Sequence, residues 1–140
     1  MLIRTFEYWL KSRKVNKGSP DIPRAKGLIK NGIEDIEELV NSMELNKRTS
    51  SILFKIVYDG LRSVLQAFLT EKGYRPYSHE AIIAFNLENG NISKSEASKL
   101  DNFRHLRNDI EYRAERATEQ ETEDLLALAN VIIARLKDKI

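Results

Sequence analysis

The chain has no cysteine, which excludes disulfides, thiolate metal sites and a cysteine nucleophile. Histidine is almost as scarce. Only His79 and His105 are present, so a transition-metal site would need carboxylates to complete it. The six glycines are scattered as breakers and form no Gly-rich phosphate loop. No spacing supports a nucleophile–His–Asp arrangement. The residues therefore imply no cofactor and no metal. No apolar run approaches the ~20 residues that span a bilayer. Met1–Glu7 lacks a signal peptide's apolar core and small-residue cleavage site. The expectation is a cytoplasmic protein with no membrane partner.

What is present is a charge-rich chain of 140 residues, 41% hydrophobic and 31% charged, enough for one domain with one core. The reading is a single helical domain over 1–140, with 1–20 as a basic N-terminal helix and linker. Net charge is +2, but it is unevenly spread. Residues 1–30 carry eight Lys/Arg against Glu7 and Asp21, giving +6; the rest carry fifteen bases and nineteen acids, giving −4. A basic end on a mildly acidic body suits nucleic acid or an acidic partner, and equally a solvated surface.

Periodicity reads as helix throughout. Residues 2–14 form a short helix, and Val15–Pro20 breaks it. Ile22, Ala25, Ile29, Ile33, Ile36, Val40 and Met43 repeat at three or four residues, an amphipathic helix of about six turns. Gly27 and Gly32 weaken it modestly, while small residues near its stripe permit a close helix crossing. Glu34, Asp35, Glu37 and Glu38 fan out around this helix as a solvated face. The strongest stripe follows, Leu53, Phe54, Val57, Leu61, Val64, Leu65 and Phe68, in a helix from about 48 to 72 that Gly73 ends. Tyr74–Tyr77 reads as a turn, and Ser78 as the N-cap of a helix over Ala81–Phe85. A fifth helix opens at Ser93 or Ser95 and runs to about Ala117. Thr118 with Glu121 fits a capping box for a last helix carrying Leu125, Leu126, Ala129, Ile132, Ile133 and Leu136. No sustained period-two alternation occurs. The fold class is all-α, an antiparallel bundle of four long helices plus shorter ones.

The fifth helix bears the chemistry. Leu100, Phe103, Leu106, Ile110, Ala114 and Ala117 share its apolar face. Arg107 flanks that stripe, and Arg104, Asn108 and Tyr112 form a polar row at i, i+4 and i+8. Glu111 is one turn from Arg107, and His105 borders the row. A partly buried Arg at such an edge needs acceptors from protein or ligand. The plainer interpretation is an Arg–Glu pair on a solvated face. His79, in the first turn of the fourth helix, is either a ligand or proton carrier, or a structural hydrogen-bonder.

Gly73-Tyr74-Arg75-Pro76-Tyr77-Ser78-His79-Glu80-Ala81, followed a helix later by Phe103-Arg104-His105-Leu106-Arg107-Asn108-Asp109-Ile110-Glu111-Tyr112-Arg113, resembles the HEPN superfamily, most of all its small stand-alone prokaryotic and archaeal members. The similarity covers roughly 22–140. It implies a helical bundle that commonly dimerises. In active members an Arg with a polar follower, and a His a few residues on, form a metal-independent RNA-cutting cleft across the dimer. It also implies a minimal nucleotidyltransferase as a candidate partner, or binding of RNA or nucleotide without cutting. On this chain Arg107 matches the motif Arg and Asn108 its follower, while Tyr112 stands where the His belongs. An unperturbed phenol, with a pKa near ~10, is a poor base at neutral pH. The expectation is a homodimer binding RNA, a nucleotide or a nucleotidyltransferase through Arg107, Asn108 and Tyr112, flanked by Arg104 and His79, with little or no catalysis. The alternative is a metal-independent endoribonuclease, such as the toxin of a toxin–antitoxin pair, using Arg107 with Tyr112 or His105.

Overall fold

The computed structural model of the chain describes residues 3–140. Leu2, where the first predicted helix begins, lies outside the described residues. That helix is shorter than its pattern suggests: α1 spans Phe6–Lys11. Thr5 caps it by accepting the Tyr8 N–H, and its far end turns at Arg13, which takes a left-handed φ of 60°. Arg13 N–H then reaches Leu10 O, and Lys14 N–H reaches Trp9 O, satisfying the last carbonyls.

The next segment corrects the sequence reading. Val15–Lys17 is not only a breaker but a strand, β1, and Tyr74–Pro76 is not only a turn but its antiparallel partner, β2. Val15 faces Pro76, Asn16 faces Arg75, and Lys17 faces Tyr74. Three residues are too few to display a period-two pattern, and the pairing partner is over fifty residues away in sequence. Beyond the ribbon, Gly18 N–H bonds Gly73 O at 2.7 Å. Gly73 has φ +90°, and a Cβ there would collide with the Gly18 carbonyl, so glycine is required.

α2 spans Ile22–Glu34, capped by Asp21, and continues as a π turn over Asp35–Leu39 and a 3-10 turn over Val40–Ser42. α3 spans Ser50–Thr70 and is the central element: α2 and the helices that follow α3 all pack on it. Phe54, Val57, Leu61, Leu65 and Leu69 are essentially inaccessible. Each contributes about 1.5–3 kcal/mol by leaving water. Gly32 and Gly60 make the expected close crossing of α2 and α3. A Cβ on Gly32 would lie 2.5 Å from Gly60 O and 2.9 Å from Val64 Cγ2.

α4 spans His79–Glu88, α5 spans Lys94–Tyr112 and α6 spans Glu119–Leu136, followed by a 3-10 turn at Lys137–Lys139. Ser78 caps α4, while Ser93 with Glu96 and Thr118 with Glu121 form capping boxes on α5 and α6. α5 stops one turn short of the predicted Ala117. Ala114 sits at φ 56° and is exposed, and Ala117 enters the core from the following loop. Ile110, which the apolar stripe of α5 places in the core, is only half-buried, as are Phe103 and Leu106 before it, because this stretch of α5 packs on the margin of the core. Three hydrogen bonds fasten that loop and the first turn of α6 to the start of α3: Ser50 Oγ to Ala117 O, Ala117 N–H to Ser51 Oγ, and Thr122 Oγ1 to Ser50 O. The architecture is all-α, with six α-helices among the described residues and one small ribbon. No helix among those residues is long and apolar enough to cross a membrane.

Candidate functional site

The ribbon places residues that are remote in sequence around the N-terminus of α4. Tyr77 N–H donates to Lys14 O at 2.7 Å, tying the end of β2 to the end of α1. α5 crosses the same region and presents Arg104 and Asn108. The result is an open cavity of about 280 Å³ lined by Trp9, Lys14, Tyr77, Ser78, His79, Glu80, Arg104 and Asn108. Three of the sequence-predicted binding residues, His79, Arg104 and Asn108, therefore meet at one place.

Arg104 is largely buried. Its Nε donates to Asp101 at 3.0 Å, its Nη2 meets His105 Nε2 at 3.2 Å, and its Nη1 stands 3.8 Å from Glu80. Nη1 is the most loosely held of these groups, with Glu80 beyond hydrogen-bond distance. The Trp9 indole N–H is buried and has no hydrogen-bond partner. Lys14 is exposed and forms no ion pair among the described residues. Burial, and then the positive charge of Arg62, push the His79 imidazole down to about 4, so it is neutral at pH 7. Its ring lies 6.0 Å from that of Tyr58, a buried phenol whose pKa burial raises. Arg62 has a buried Nε without a partner and lines a very small gap with Tyr58 and His79.

Arg107 is placed differently. Its Nε and Nη2 donate to the two oxygens of Asp59 at 3.3 and 3.2 Å, and its Nη1 approaches Glu111 at 3.4 Å. Lys55 reaches the same Glu111 oxygen at 3.4 Å. The acceptors that a flanking Arg requires thus come from α3 and from its own helix. Arg107 does not line the cavity. Tyr112 ends α5 and is 81% exposed, and it too stands outside. His105 is exposed beside Arg104 and Asp101.

Sequence reasoning missed Lys14, Tyr77, Asp59 and Arg62 as members of this neighbourhood. For Asp59 and Arg62 a signal existed, since charged residues one turn apart interrupt the flank of the most apolar helix. For Lys14 and Tyr77 it did not, because only the long-range strand pairing joins them. Searches against protein-family models, curated proteins and solved structures find no match to this chain.

Proposed function

We propose that the chain binds RNA or a ribonucleotide on the α4–α5 face and cuts RNA poorly or not at all. The observation that carries this is the composition of the cavity. Lys14 and Arg104 supply cationic donors for a phosphate, the Asn108 amide supplies a neutral donor, and Glu80 supplies an acceptor for a hydroxyl. A ligand that combines a phosphate, hydroxyl donors and a flat ring satisfies all of these, and a ribonucleotide is such a ligand. Weak catalysis follows from the available bases. Removal of a 2′-hydroxyl proton is fastest with a base poised near the working pH. His79 lies well below that range, and Tyr112 stands away from the cavity.

The HEPN resemblance extends this reading. It takes the four long helices as an antiparallel bundle and the active assembly as a homodimer with the two α5 helices near a two-fold axis. Arg107 and the exposed Tyr112 would then face the second copy, and a minimal nucleotidyltransferase is the expected protein partner. Light scattering at tens of micromolar tests the dimer, since a monomer there removes it. Purified protein on mixed RNA with excess EDTA tests the function. Salt-sensitive binding without cleavage, weakened by Arg104→Ala, is the expected result. Brisk cleavage that Arg107→Ala abolishes would replace the binding reading with the endoribonuclease.

A further inference from the structure

A second cavity, of about 260 Å³, lies on the other side of Tyr77. It is walled by Asp21 and Arg24 from the start of α2, by Gln66 and Thr70 from the end of α3, and by Arg75 in β2. Among the described residues, no hydrogen bond or ion pair engages either guanidinium, the Gln66 amide or the Thr70 hydroxyl. Thr70 is a largely buried residue at 5% exposure, and it belongs to the wall of this cavity. Asp21 spends one oxygen on the Arg24 N–H and keeps the other free as an acceptor. The set repeats the first cavity in kind: two cationic donors, neutral donors and one carboxylate.

Tyr77 is the shared wall of both cavities. It is 68% exposed, yet it is held at both ends. Its backbone N–H bonds Lys14 O at 2.7 Å, and its phenol oxygen accepts from Asn16 Nδ2 at 3.3 Å. An aromatic ring fixed in this way and left uncovered loses little entropy when a flat partner stacks on it.

We propose that the cavity beside β2 is a second nucleotide subsite, and that single-stranded RNA passes from one cavity to the other with a base on Tyr77. The proposal rests on the ribonucleotide reading of the first cavity. Basic walls take the backbone phosphates on either side of the ring, and the ring takes a base face that a duplex would hide. The concentration of Lys and Arg in the first thirty residues acquires a role, because Lys14 serves one cavity and Arg24 the other.

Fluorescence anisotropy on the full chain tests this, with a labelled single-stranded RNA 8-mer, the same sequence as a duplex, and AMP as competitor. Arg24, Arg75 and Tyr77 are exposed, so their replacement leaves the fold intact, as circular dichroism can verify. Tyr77→Ala is expected to weaken the 8-mer about tenfold. R24A/R75A is expected to lower the ratio of 8-mer to AMP affinity about tenfold. The same variant should reduce the slope of log affinity on log salt by ~0.7 for each phosphate it no longer neutralises. Wild-type 8-mer affinity and salt slope in these variants, or equal binding of the duplex, would overturn the proposal. The two readings fail separately. AMP binding that needs Arg104, beside an 8-mer indifferent to Arg24, Arg75 and Tyr77, sinks this inference alone. No binding of either probe to the unaltered protein sinks both.

Discussion

Arg107 is the residue on which a holding role and a ligand role diverge most clearly. Its guanidinium meets Asp59 edge-on through two bonds of 3.2–3.3 Å, with its side chain 19% exposed against 39% for the aspartate. A fully exposed pair would be worth roughly 0–1 kcal/mol, and charge-assisted bonds away from water about 1.5–3 kcal/mol. This pair lies between, so a coupling of about 1 kcal/mol is expected. Arg107→Ala should cost more, about 2 kcal/mol, because it also removes packing of the Arg stem and leaves Asp59 without its partner. Asp59→Ala should cost less, since Glu111 remains at 3.4 Å to receive the guanidinium. A urea titration of the wild type, both single variants and the double variant measures the coupling directly. RNA binding under native conditions is measured beside it. If Arg107 mainly fastens α5 to α3, the stability falls as stated and affinity changes little once the protein is folded. An Arg107→Ala variant of unchanged midpoint that has lost RNA binding would refute the reasoning and make Arg107 a ligand-binding residue.

Four other perturbations have defined outcomes. Gly32→Ala should destabilise by ~1–3 kcal/mol or more in the same titration, because the new methyl meets backbone at Gly60 and has nowhere to move. Ala114→Gly should stabilise by up to about 1 kcal/mol, since residue 114 is exposed and held at a left-handed φ of 56° that costs an L side chain. Glu96 takes two bonds of 2.6 and 2.7 Å from Arg135, and these hold its carboxyl down to about 2. Its contribution is therefore complete above the unfolded value of 4.5 and is lost as pH falls toward about 2; Glu96→Gln should remove that part of the acid transition. His79 behaves in the same direction for the opposite reason: the unfolded imidazole gains its proton near 6.5 and the folded one only near 4, so stability falls as pH drops through that window. A phosphodiester in the cavity favours the imidazolium, so RNA affinity should rise from pH 7 to pH 5, and His79→Gln should flatten that rise.

The helices are legible in the sequence where the apolar spacing is regular and the caps are local. The α3 stripe from Leu53 to Phe68, the Ser78 cap and the Thr118–Glu121 box all occupy the expected places because each depends on residues within one or two turns. The helix ends are less legible. Ala114 and Ala117 keep the apolar spacing of α5, yet the chain turns at Ala114, a residue that does not announce a left-handed conformation as glycine would. The ribbon is not legible at all, since three-residue strands carry no pattern and their pairing spans the chain. The cavity inherits that blindness: Arg104 and Asn108 can be placed on one helical face from spacing, but their meeting with Lys14 and Trp9 depends on the ribbon.

The three arginines near His79 differ in how fully protein satisfies them, and that gradient argues for where an anion goes. Arg107 faces two carboxylates, Asp59 and Glu111, and has little unmet demand. Arg104 has one close carboxylate, Asp101, and a second at 3.8 Å. Arg62 forms no ion pair among the described residues, and its buried Nε lacks any partner. Asp59 and Glu111 thus satisfy Arg107 at the seam of α3 with the C-terminal half of α5, whereas toward the α4 N-terminus Asp101 and the looser Glu80 serve Arg104 alone and leave Arg62 without an ion pair. A guanidinium nitrogen buried without a partner is costly, and a neutral His79 brings no negative charge to relieve it. A phosphate entering beside Arg104 would lower that cost for Arg62 as well, through the field rather than through a bond. Affinity should therefore fall in Arg62→Gln even though Arg62 does not line the cavity, and fall less at high salt, where the long-range part is screened. Loss of binding in Arg62→Gln that is independent of salt would instead mean that Arg62 touches the ligand.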